Sequence, residues 1–181
     1  ARALRQSIAT QPFLWYSSNI ITGFLKTVKG GWRTFMQTIP VLISINAIAR
    51  REDEQDEPMA MLTSGRMTVE DERVLIHYEE TLDESLPAQP VEITVAGNTV
   101  SMVRGGAFET SMVFCKGQRF EGQYRTPYGD MELAVYCTRL RHDLTDGGGE
   151  LLLSYQLDLN GQFVAMHEME LRLIPQNGQA D

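Results

Sequence analysis

The chain has two cysteines and three histidines in 181 residues, and its first 39 positions contain no acidic side chain. Cys115 and Cys137 lie 22 positions apart, without a CxxC spacing and without a histidine beside either. That excludes a zinc site written into the sequence and fits free thiols in a reducing compartment. His77, His142 and His167 are too dispersed to define a metal triad, so neither a metal nor an organic cofactor is expected. A G-x-S-x-G elbow is missing, and neither cysteine stands in an activating context, which removes the common nucleophile signatures. No apolar run approaches the roughly 20 residues needed to span a bilayer as a helix.

What the chain does have is an uneven charge. It carries 16 basic and 24 acidic residues, for a formal net charge of −8. Arg2, Arg5, Lys26, Lys29 and Arg33 all fall in the acid-free first 39 positions, so the rest is strongly acidic. Such a body repels phosphate backbones, and nucleic acid is not an expected partner. With 43% hydrophobic and 22% charged residues, the length suits one domain with a substantial core.

Residues 1–35 form a basic N-terminal extension, set apart from a domain over 36–181. Three readings of it stand open. Pro12–Lys26 is apolar, but Ser17-Ser18-Asn19 and Gly23 interrupt any helical stripe. A membrane-related segment, the one route by which this chain would contact a membrane, therefore competes with a short docking helix. The third reading takes Met36 as the start of the natural protein, because the charge balance changes sign there and Met36-Gln37-Thr38-Ile39-Pro40 leads directly into the first strand.

From residue 40 the pattern alternates almost everywhere between apolar and polar positions, punctuated by short turns. Strands are predicted near 40–49, 59–69, 72–81, 90–96, 98–105, 108–115, 118–126, 130–142, 149–160 and 162–174. Ala96-Gly97-Asn98, Lys116-Gly117-Gln118, Thr126-Pro127-Tyr128-Gly129-Asp130 and Asn160-Gly161 are hairpin connections, rich in residues that accept positive φ or preset a turn. Gly147-Gly148-Gly149 precedes a strand rather than a helix, so it reads as a turn and not as a phosphate loop. The expected fold is all-β, about ten antiparallel strands closed into a barrel or a sandwich.

Alternation also assigns the faces. Tyr78 and Glu80 share one face of their strand while His77 and Glu79 take the other. Leu151, Leu153, Tyr155, Leu157 and Leu159 are expected to face inward, opposite Phe163, Ala165, His167, Met169, Leu171 and Leu173.

Several short stretches together resemble a known bacterial family. These are Val41-Leu42-Ile43-Ser44-Ile45, Ile76-His77-Tyr78-Glu79-Glu80, Arg104-Gly105-Gly106 with Met112-Val113-Phe114, Tyr124-Arg125-Thr126-Pro127-Tyr128-Gly129, and Gly148-Gly149-Glu150-Leu151 with Leu153-Ser154-Tyr155. In this order they are similar to the family known as domain of unknown function 1934, over roughly residues 36–175. The resemblance implies a calycin-like barrel, related to lipocalins, in the bacterial cytoplasm. It implies no established activity.

The inward sets hold an unusual number of polar groups: Tyr78, Glu80, Tyr124, Thr126, Tyr155 and His167, with Arg104 at a strand end. A carboxylate buried alone costs several kcal/mol, so Glu80 needs a partner or a raised pKa, and Arg104 is the expected partner. One reading has these groups hold the polar or carboxylate head of a small amphipathic ligand, with Leu153, Leu157, Phe163 and Met169 around its apolar part. The other has them satisfy one another in a filled barrel, which then serves as a structural or protein-interaction module. Glu79 and Glu80 point to opposite faces and cannot converge on one bond, so no catalytic pair is expected and the chain is not read as an enzyme. Oligomeric state is not written in these patterns.

Overall fold

In the computed structural model, residues 37–51, 58–70, 72–81 and 87–176 are described; residues 1–35 and Met36, with the three readings of the extension, lie outside them. Ten strands occur among the described residues. They are β1 (Gln37–Arg50), β2 (Met59–Glu70), β3 (Arg73–Glu80), β4 (Gln89–Ala96), β5 (Thr99–Arg104), β6 (Glu109–Cys115), β7 (Arg119–Thr126), β8 (Gly129–Thr145), β9 (Gly148–Leu159) and β10 (Gln162–Pro175). Each pairs antiparallel with its sequence neighbours, and β1 closes onto β10 from Val41↔Pro175 to Arg50↔Met166. The sheet is thus a closed up-and-down barrel with no free edge, the arrangement that the short turns and period-two pattern favour.

Val41, Ile43, Met67, Ile76, Ile93, Phe114, Leu151, Leu153 and Leu171 are fully buried on the inner face. Each comes from the inward register of its strand, and burying a side chain of this size contributes about 1.5–3 kcal/mol. Gly65 on β2 is required by close packing, because a Cβ there would sit 2.6 Å from the carbonyl oxygen of His77 and 2.6 Å from Cδ1 of Ile43. Its missing side chain lets Tyr78, its cross-strand partner, pack against β2.

Two irregularities reset the alternation. The β8–β9 register shifts between Cys137 and Arg139, so the inward apolar side chains switch from Met131, Leu133, Val135 and Cys137 to the partly buried Leu140 and Leu144. A second shift separates Phe163 from Ala165 in β10. Phe163 pairs with Asp158 and is 41% exposed, whereas Ala165, Met169, Leu171 and Leu173 are buried. The expected inward position of Phe163 is therefore corrected: a bulge at Val164 breaks the register that alternation alone would extend through it.

The antiparallel order gathers the β3–β4, β5–β6 and β7–β8 connections at one end of the barrel. There the β6–β7 ladder registers only Glu109↔Arg125 and Thr110↔Tyr124. At the opposite end His142 Nε2 lies 2.7 Å from the carbonyl oxygen of Gly97. Since β8 is not a neighbour of the β4–β5 turn, this contact bridges the far mouth.

Candidate functional site

Five neighbouring strands place polar side chains in one row at the β3–β4 end. Glu80, last in β3, pairs with Gln89, first in β4. Arg104, last in β5, pairs with Val91 on one side and Thr110 on the other, and Thr110 pairs with Tyr124 of β7. Each polar residue continues the inward register of its strand: Glu80 follows Ile76 and Tyr78, Gln89 precedes Val91 and Ile93, and Thr110 precedes Met112 and Phe114.

Glu80, Gln89 and Thr110 are 4%, 1% and 5% exposed. The Arg104 side chain, 28% exposed, reaches over β4 and brings Nε to 2.9 Å from Glu80 Oε2. The contact is a close pairing of opposite charges in which the N–H is not aligned on the oxygen. Neither atom completes a hydrogen bond, and Gln89 Oε1, Gln89 Nε2 and Thr110 Oγ1 also have no hydrogen-bond partner in the protein. Buried polar groups are nearly always bonded, so five such atoms at one end of one barrel set this region apart. Gly106, at φ +87°, leaves room for the Gln89 side chain, which lies 3.0 Å from where a Cβ would stand.

The site's electrostatics follow from burial. Tyr78, 2% exposed, has its phenol pushed far above the ordinary tyrosine value, first by desolvation and then by the Glu80 carboxylate, while Arg104 opposes the shift. Desolvation also raises the Tyr155 phenol, again against the charge of Arg104. Both phenols therefore stay protonated at neutral pH, able to donate.

The structure brings together Tyr78, Glu80, Arg104 and Tyr124 along this row. Tyr155 and His167 belong to a second group on the β9–β10 wall. Their rings stack with centroids 5.1 Å apart and planes 8° apart, and Tyr155 also meets Phe114 at 4.9 Å. Tyr124 stacks on Phe108 of the β5–β6 connection at 6.3 Å. Thr126 serves the turn: its hydroxyl donates to the Gly129 carbonyl at 2.8 Å and accepts the Tyr128 N–H at 3.1 Å.

Gln89 and Thr110 escaped the sequence reading, although the signal was present. Each stands one inward step outside an obvious apolar run, so starting the alternation one position earlier exposes Gln89, and following it through 108–115 exposes Thr110. Among the described residues, no group of three or more His, Cys, Asp or Glu side chains is placed to hold a metal ion, and no helix is long and apolar enough to cross a membrane.

Comparison with known proteins gives a consistent picture. A family model described as a domain of unknown function, number 1934, matches residues 43–171. The uncharacterized β-barrel protein YwiB of Bacillus subtilis (strain 168) is 22% identical over 135 residues, which cover 75% of this chain and 93% of that protein. The crystal structure of YwiB superposes with a TM-score of 0.70 at 21% identity, covering 78% of this chain and 96% of that one. At such identity the likeness is one of fold.

Proposed function

We propose, from the premise that this chain belongs to the domain of unknown function 1934 family, that it is a binding protein rather than a catalyst. In this reading it takes a small amphipathic molecule into the end of the barrel where Tyr78, Glu80, Gln89, Arg104 and Thr110 meet. The setting is that of a calycin-like carrier in the bacterial cytoplasm.

One observation carries the reading: five buried polar atoms on four adjacent strands lack hydrogen-bond partners. The three outside the Arg104–Glu80 ion pair, Gln89 Oε1, Gln89 Nε2 and Thr110 Oγ1, each cost about 1–3 kcal/mol relative to a bonded atom, and a ligand head that supplies the missing bonds recovers that cost on binding. The apolar wall formed by Phe114, Leu153 and Met169, continued by Tyr155, suits an alkyl or aryl tail. Phe163 takes no part, since it faces out.

The test is native mass spectrometry of the protein purified from cells, compared with the same sample after extraction into organic solvent, together with melting curves against a panel of amphipathic metabolites. A small-molecule adduct lost on extraction, or a panel member that raises Tm in proportion to its concentration, supports binding. No adduct and an unchanged Tm throughout would overturn it and leave the filled barrel as an interaction module. Leu62 and Ile174, which stand 66% and 53% exposed on the outer face, favour that second reading.

A further inference from the structure

We infer that the head group this site takes is uncharged and carries an amide edge, a C=O beside an N–H, as in a carboxamide, lactam or ureido group. The inference rests on the binding reading above and specifies its ligand.

The charge at the site is already balanced. Arg104 Nε stands 2.9 Å from Glu80 Oε2, so the pair presents no net charge to a third group. A ligand carboxylate would compete with Glu80 for one guanidinium and would place two carboxylates side by side. A ligand ammonium would meet Arg104 beside any approach to Glu80. The remaining unpartnered atoms call for something else. Gln89 Oε1 needs a donor and Gln89 Nε2 needs an acceptor, both on one planar amide that is 1% exposed. The group that satisfies both at once is a second amide edge, paired head to head with two hydrogen bonds. Thr110 Oγ1, inward on the second strand over from Gln89, can donate or accept and so serves a further polar atom of an uncharged head. Gly106 holds the β5–β6 turn against the Gln89 side chain, which restricts the amide and favours one binding geometry.

The experiment compares three probes with the same tail, octanamide, octanoate and octan-1-ol, by titration calorimetry on the full chain and on Gln89→Met. Methionine matches glutamine in length and has no amide. Octanamide is expected to bind the parent protein about tenfold more tightly than octanoate, a difference of roughly 1.4 kcal/mol. In Gln89→Met, with an unchanged melting cooperativity, that preference is expected to fall to less than about twofold while octan-1-ol changes little. If octanoate binds as tightly as octanamide, the amide assignment is overturned and the binding reading survives. Binding of none of the three overturns both. A preference that persists in folded Gln89→Met overturns the role of Gln89. Should Gln89→Met fold poorly, Thr110→Val provides the second variant, expected to weaken octanamide several-fold and octanoate less.

Discussion

Glu80 and Arg104 pair their charges across an intervening strand, with Arg104 Nε 2.9 Å from Glu80 Oε2 although β4 separates β3 from β5. Removing Arg104 leaves the Glu80 carboxylate buried without a counter-charge, whereas removing Glu80 leaves a partly exposed guanidinium. Breaking a fully buried pair costs about 3–5 kcal/mol, and the 28% exposure of Arg104 reduces this. Arg104→Met and Glu80→Leu are each expected to lose about 2 kcal/mol in urea denaturation, with Arg104→Met the worse because it strands Glu80, the more deeply buried of the two charges. The double variant is expected to be more stable than the sum of the two losses predicts. Strict additivity in this cycle would show that the pair is not coupled.

Tyr78 sets an alkaline limit. Burial raises its phenol above the ordinary value, so the folded state holds this proton more tightly than the unfolded chain does. The resulting stability is fully present below the unfolded pKa of about 10 and is lost as pH rises through the higher folded value. Denaturation midpoints of the parent protein are expected to fall steeply above pH about 10, and those of Tyr78→Phe less steeply. Superimposable curves for the two proteins would refute this assignment, since Tyr155, also raised by burial, remains in both.

At the acid side Asp158 is one contributing group. The Gln156 amide donates to Oδ1 at 2.8 Å and Arg119 donates to Oδ2 at 2.6 Å. These bonds, Gln156 first, hold the carboxyl below the usual aspartate range although burial opposes them. The sign is opposite to that of the tyrosine: the stabilisation is present above the unfolded pKa of about 3.9 and disappears as pH falls through the lower folded value. Asp158→Asn is expected to cost about 1 kcal/mol at neutral pH and to flatten the decline in Tm below pH about 4. An acid limb as steep as that of the parent would assign the effect to other carboxylates.

How far the sequence discloses this molecule depends on what alternation can carry. The barrel is legible because turns such as Asn160-Gly161 and Lys116-Gly117-Gln118 segment the chain and each strand states its own inner face. Part of the site is legible for the same reason, since Glu80 follows Val74, Ile76 and Tyr78 on one face. Which strands stand next to one another around a closed circle is less directly written, so the row Glu80, Gln89, Arg104, Thr110 emerges only with the registers. Alternation is also blind where every candidate is apolar. Phe163-Val164-Ala165 accepts either register equally well, and the choice falls to the pairing of β10 with β9.

That choice yields the last prediction. If Phe163 were an inner-face residue, replacing it with serine would remove a large buried ring and cost about 3–5 kcal/mol. The bulge at Val164 instead turns it outward beside Asp158, at 41% exposure. Phe163→Ser is therefore expected to cost less than about 1 kcal/mol. Met169→Ala, six positions along the same strand and 8% exposed, is expected to cost about 2–5 kcal/mol. Urea denaturation of the two variants separates these cases. A large loss in Phe163→Ser would mean that the strand keeps uninterrupted alternation in solution, and it would return Phe163 to the inner wall beneath the polar row.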